Sequence, residues 1–315
     1  MYLLTGENTF QLREERRRWI GEFSRKYGEE NCGRVDGSKT SVRELLDEVG
    51  VQPFLAEKRM VVCEGVPKSS KEEIILLESQ IHPDVLLLFI EPKLDKRTAG
   101  AKQLLAAAEV KEFTPLKGVV LSKWALSFAQ QQGLTFGTGA SDMLIEFIGE
   151  DQDMLSQEIQ KLALSAHGRN VTREDIEQMV IPTDEGVIWK ISDLLSSGSR
   201  AEAMVFARRL LDRSGDAYGL WAILLNMLKN LVAVSAAMQA GHSSGKDIAD
   251  ASGVHVFAVR SLQSHARRAK GNDLQKFVSW AAGADKDLKT GVYRSTDEAP
   301  QELLALIDRF ILKCP

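Results

Sequence analysis

Residues Tyr2–Trp19 read YLLTGENTFQLREERRRW. A short apolar strand, Tyr2 to Leu4, runs into Gly6, and a helix follows at once. A phosphate-binding loop needs G-x-x-x-x-G-K-[ST] at such a junction: a second glycine so that backbone N–H groups approach the phosphates, a Lys for charge, and a hydroxyl for Mg²⁺. Counted from Gly6, those places hold Gln11, Leu12 and Arg13. The strand–turn–helix frame is kept and its chemistry is gone. This predicts a nucleotide-type fold that is not a nucleotidase.

Outward from this stretch, strands and helices alternate. Asn8 caps the first helix, with Gln11 in the capping-box position. Short strands are predicted at Arg34–Asp36, Met60–Cys63 and Val110–Phe113. Helices are predicted over Val42–Val49, from Ser70 through Ile81, and over Thr98–Ala108. Ser41 with Glu44, and Ser70 with Glu73, read as capping boxes. Val85–Ile90 is almost purely apolar, as expected of a central parallel strand covered on both faces. Alternation of this kind argues for a parallel sheet with right-handed crossovers. Arg16, Arg17 and Arg18 read as a solvated helix face.

After Pro115 the strands stop. Four helices are predicted over Ser122–Gln132, Ser141–Ile148, Met154–Ala166 and Arg173–Val180, the last capped by Thr172 with Asp175. Ile181-Pro182-Thr183 reads as a linker. A second all-helical stretch runs from Val187 to Lys313, with Ala- and Leu-rich helices such as Tyr218–Gln239 and Leu274–Asp287. Gly198, Gly241, Gly253, Gly271 and Gly291 are its expected breaks. The layout is α/β plus all-α: an α/β domain at 1–116, a small helical domain at 117–181 and a helical bundle at 182–315.

The totals bound the function. The chain has 315 residues, 44% of them hydrophobic and 27% charged, with a net charge of −4. That is enough apolar matter for real cores. There is no basic excess of the kind a lone duplex-binding protein carries, so nucleic-acid contact is expected to be local or shared with partners. Cys32, Cys63 and Cys314 form no CxxC and suit a reducing cytoplasm. The five histidines show no ligand spacing, so no metal is expected. There is no signal-peptide pattern, and the run Val85–Ile90 is far too short to span a membrane. No catalytic Ser–His–Asp or Cys–His arrangement can be argued from spacing. Gly241-His-Ser-Ser-Gly-Lys-Asp247 imitates a P-loop but has Ala240 where the leading Gly belongs and Asp247 in place of Ser/Thr. It reads as a helix–helix turn. Glu64, Glu91 and Asp95 end strands as a magnesium-holding acid would, and without the lysine they read as ordinary strand-end carboxylates.

The most unusual segment is Val51-Gln-Pro-Phe-Leu-Ala-Glu-Lys-Arg59, between a capped helix and a strand. Pro53 stops regular structure. Phe54 and Leu55 are large and apolar within a connection. Two readings stay open: side chains folded back on the core, or an exposed plug for a partner's pocket.

Four stretches together resemble the delta subunit of the bacterial DNA polymerase III clamp loader: Tyr2–Arg13; Pro53–Arg59 leading into Met60-Val61-Val62; Leu86–Ile90 followed by Lys93–Arg97; and Ala284-Asp-Lys-Asp-Leu-Lys-Thr-Gly291. The resemblance covers nearly the whole chain. It implies an AAA+-like α/β domain with a degenerate P-loop, a helical lid and a C-terminal helical collar that packs on sister subunits through Leu274–Leu312. It implies a cytoplasmic, non-catalytic subunit without cofactor, whose partners are the ring-shaped sliding clamp (beta), the ATP-hydrolysing motor and delta-prime subunits, and primed DNA. It places the clamp contact on Phe54 with a neighbour. The family's usual Leu before the Phe is here Pro53, so either Pro53 or Leu55 fills the second part of the pocket. Arg260, Arg267, Arg268 and Lys270 line one helix edge and are either a solvated face or phosphate contacts. The rival readings are an active ATPase with an unusual loop, and a helical adaptor whose α/β domain binds something else.

Overall fold

The computed structural model describes residues 1–53, 56–269, 271–296 and 299–315, without the side chain of Phe257. The chain divides into two compact units, Met1–Gly118 and Val119–Pro315.

In the first unit five strands, β1 (Tyr2–Thr5), β2 (Cys32–Asp36), β3 (Arg59–Glu64), β4 (Val85–Glu91) and β5 (Glu109–Glu112), alternate with α1 (Thr9–Tyr27), α2 (Val42–Val49), α3 (Lys71–Gln80) and α4 (Ala99–Ala107). The sheet order is β2-β3-β4-β1-β5 and every pairing is parallel. The apolar strand β4 lies in the middle, where both faces are covered. Side-chain alternation then sorts its residues. Leu87 and Phe89 join Leu3, Val61 and Cys63 in a core with Val42 and Leu45 of α2, Ile74 and Leu77 of α3, and Leu104 of α4. Leu88 and Ile90 face the other way, with Leu4, Met60 and Val62, onto Leu12 and Phe23 of α1. The capping boxes form as the local sequence requires: Ser41 with Glu44, and Ser70 with Glu73. β5 starts one residue earlier than expected, and all four of its residues are exposed at the sheet edge.

The second unit is helical: α5 (Gly118–Gln131, beginning on the last residue of the first unit), α6 (Ala140–Ile148), α7 (Gln152–Ala166), α8 (Arg173–Met179), α9 (Asp184–Ser196), α10 (Arg200–Ser214), α11 (Ala217–Gln239), α12 (Gly245–Ser252), α13 (Val256–Arg268), α14 (Gly271–Lys289) and α15 (Gln301–Lys313). Its one pairing of strand type among the described residues is the isolated bridge Phe136–Val171. α9 packs on α6, α10, α11 and α13. Residues on the two sides of the linker 181–183 therefore share one core. Thr183 donates its backbone N–H to the Phe147 carbonyl at 2.9 Å. Gly186 approaches that carbonyl so closely that a Cβ would lie 2.1 Å from it.

Two expectations are corrected. Gly271 opens α14 rather than breaking a helix. The most membrane-like stretch is α11, not Val85–Ile90: by length and composition α11 could cross a membrane. Its apolar character was hidden because it is spread over Ala and interrupted by Asn226, Lys229 and Asn230. Leu220, Leu224, Met227, Leu231 and Val234 are buried along it, and it packs on α9, α12, α13 and α15, as the central helix of a bundle does.

Candidate functional site

The turn after β1 is closed by its own chain. The Gly6 N–H donates to the Pro92 carbonyl at 3.3 Å and the Asn8 N–H to the Phe113 carbonyl at 3.1 Å. Asn8 Nδ2 donates to the Thr114 carbonyl at 3.0 Å, and Asn8 Oδ1 accepts from the Gln11 N–H at 3.1 Å. The Gly6, Asn8 and Gln11 N–H groups of this turn, which lie where a phosphate-binding loop presents donors, are thus taken up within the chain. Gly6 has φ +120°, and a Cβ there would lie 2.1 Å from the Phe113 oxygen. The Gly6 position is thus a packing site against residues 113–114, and Arg13 lies over the Phe10 ring at 5.7 Å.

The strand-end acids are engaged locally. Glu64 pairs with Arg16 at 2.6 Å. Glu91 accepts from the Val66 and Lys93 N–H groups at 3.3 and 3.1 Å. Asp95 pairs with Arg97 at 2.8 Å, which holds its carboxyl at about 2. Arg17 and Arg18 pair with Glu14 and Glu15 on their own helix. Burial alone would raise the Glu15 carboxyl, but hydrogen bonds from Arg18, Lys111 and Trp19 hold it at about 2. Among the described residues no group of His, Cys, Asp and Glu could hold a metal ion.

The Val51–Arg59 connection lies at the opposite end of the sheet, where β3 begins. Its ends are pinned. Arg59 reaches back to the end of α2, donating to the Glu48 carbonyl at 3.0 Å and pairing with the Glu48 carboxylate at 2.6 Å. The Arg59 N–H donates to the Asp84 carbonyl at 2.9 Å, and the His82 N–H to the Val49 carbonyl at 3.0 Å. Between these anchors Val51 is 58% exposed. Pro53 is half-buried. Phe54 and Leu55, the predicted plug, lie outside the described residues. The Arg59 anchor escapes a sequence reading, because Arg–Glu contacts at a separation of eleven carry no periodic signal.

The predicted nucleic-acid edge falls on α13. Arg260 and Arg267 are exposed. Arg268 donates to the Ser196 carbonyl at the end of α9. Lys270 lies outside the described residues. Arg260 is close enough to Glu146 of α6 to act on its ionisation. Burial pushes that carboxyl up to about 7, Arg173 and Arg260 oppose the rise, and Asp142 and Asp193 add to it.

Comparison with known proteins places this geometry. The family model for DNA polymerase III, delta subunit, matches residues 2–114, and the model for the C-terminal domain of that delta subunit matches residues 185–307. Among solved structures, a DNA clamp loader delta protein from Bacillus subtilis superposes with a TM-score of 0.64 at 23% identity, covering 99% of this chain and 95% of that one. A DNA polymerase III gamma subunit-related protein from Thermotoga maritima aligns over 85% of this chain and 94% of that one, at 12% identity and a TM-score of 0.33, a likeness too slight to weigh. No curated protein matches in sequence. The two delta models together span most of the chain, which belongs to the DNA polymerase III delta subunit family, and the superposition shows that it shares the fold of the Bacillus protein.

Proposed function

We propose that this subunit binds a ring-shaped sliding clamp through the connection Val51–Arg59 and shifts the ring toward its open form. Phe54 is the plug, and Pro53 or Leu55 fills the second part of the pocket. The observation that carries the reading is the loop itself: an apolar segment between two pinned ends, with Val51 58% exposed, at the end of the sheet away from the closed Gly6 turn. Pinned ends reduce the entropy lost on docking. A protein that binds the open ring better than the closed one shifts the population toward open by that difference in affinity.

The chain acts without catalysis of its own, because the donors of its Gly6 turn are spent on Pro92 and Phe113. Motor and delta-prime subunits supply ATP hydrolysis and control access to the loop. The helices at 117–181 act as a lid and those at 182–315 as the collar that meets sister subunits. Primed DNA meets Arg260 and Arg267 within the assembled loader, together with Lys270, while Arg268 is held by the Ser196 carbonyl. The protein works in the cytoplasm.

Titration of the full chain against the sliding clamp of its own organism, with and without Phe54→Ala, tests the reading. The substitution costs about 2 kcal/mol or more if Phe54 is the hot spot. Unchanged affinity in a stably folded variant sinks it.

A further inference from the structure

α12 and α13 have a construction that clamp binding does not use. α12 has eight residues and ends at Gly253, which has φ +69° and donates its N–H to the Ala249 carbonyl. Gly253, Val254 and His255 connect it to α13. Ile248 on α12, Val254 in the turn, and Val259 and Leu262 on α13 form an apolar set that brackets the turn. All four are at most 6% exposed. α12 packs on α13, and α11 packs on both. A short helix, a three-residue turn opened by glycine and a second helix packed on the first, with buried apolar side chains on both and in the turn, are the parts a helix–turn–helix is made of.

The second helix carries a stripe along its outer side. Val256, Arg260, Ser264 and Arg267 are spaced by four, four and three, and all four are exposed. Lys246 is exposed in the first turn of α12, where Ser244 caps the helix by accepting from the Asp247 N–H at 3.1 Å. In a helix–turn–helix the first helix meets the DNA backbone and the second lies in the major groove. A groove about 12 Å wide admits one α-helix. Cations therefore stand on both helices of the pair. Acidic groups nearby are Asp247 and Asp250 on α12 and the Glu146 cluster beside Arg260.

We propose that α12–α13 is a helix–turn–helix that seats double-stranded DNA, with α13 along the major groove and Lys246 on a phosphate. This rests on the reading that α13 meets primed DNA, and it assigns the duplex part to this pair of helices. The stripe offers few groups able to tell one base pair from another, so the binding is weak and without sequence preference.

The test is a titration of the full-length protein, without clamp, against a labelled duplex of about 20 base pairs and a single strand of equal length, between about 50 and 200 mM salt. The duplex is expected to bind more tightly. Lys246→Ala, Arg260→Ala and Arg267→Ala should each weaken duplex binding by roughly 3- to 10-fold and lower the slope against log salt by about one. Arg43→Ala, on α2, serves as the control and should change neither. Loss with Arg260→Ala and Arg267→Ala but none with Lys246→Ala overturns the helix–turn–helix and leaves a simple basic edge. Preference for the single strand overturns the duplex assignment. No binding by the native chain overturns the helix–turn–helix and leaves only the contact made within the assembled loader. None of these outcomes bears on the clamp reading.

Discussion

Glu146 is a half-buried carboxyl whose burial pushes it up to about 7 from 4.5. Between those values the folded chain binds more protons than the unfolded one, so stability falls as pH rises through that window and levels off above it. At pH 8 the charged carboxylate is a burden of about 1–2 kcal/mol, after discounting for the solvent that still reaches it. Glu146→Gln should therefore raise the melting temperature at pH 8 and leave it nearly unchanged at pH 5. Equal shifts at both pH values would mean that the charge is not buried. Nothing in the sequence marks this residue. The groups that act on it, Asp142, Arg173, Asp193 and Arg260, come from four helices and lie up to 114 positions from it in sequence. The cap residues Ser41, Ser70 and Thr172 were legible for the opposite reason: each cap is settled within three residues of itself.

At the scale of elements, the strands and helices of the first unit follow from alternation, caps and the apolar run at Val85–Ile90, because each is a local pattern that burial on both faces enforces. The apolar loop at Val51–Arg59 was legible as an oddity, and what holds it was not. Arg59 is tied to the Glu48 carboxylate by a charged contact of 2.6 Å and to the Glu48 carbonyl at 3.0 Å. Both side chains are partly solvated, so the pair adds less than about 1 kcal/mol to stability. Its larger effect falls on the loop, whose ends it fixes. Arg59→Ala should weaken clamp binding roughly two- to tenfold, the equivalent of about 0.5–1.5 kcal/mol, with little change in melting temperature. The loss should be smaller than that of Phe54→Ala. Unaltered clamp affinity in Arg59→Ala would assign the loop's order to Pro53 and to the backbone anchors at Asp84 and Val49.

At the scale of the whole molecule, the division of labour between the units can be tested directly. Met1–Gly118 holds two cores of its own, one on each face of a five-stranded sheet. A unit of that size with both sheet faces covered is large enough to fold alone. The proposed clamp loop lies wholly within it, and the proposed collar wholly within Val119–Pro315. Expressed separately, residues 1–118 should unfold cooperatively and bind the clamp with nearly the affinity of the full chain. Residues 119–315 should not bind the clamp, and should co-elute with the motor subunit on a sizing column. The strand pattern ends at Pro115, a boundary is expected between residues 116 and 117, and the first compact unit ends at Gly118. Near residue 181, where a second boundary is expected, Thr183 and Gly186 close directly on the Phe147 carbonyl. If clamp affinity is lost in a folded 1–118 fragment, the helical unit contributes to clamp binding. If the 119–315 fragment elutes alone while the full chain assembles, the contacts with sister subunits come from the α/β unit.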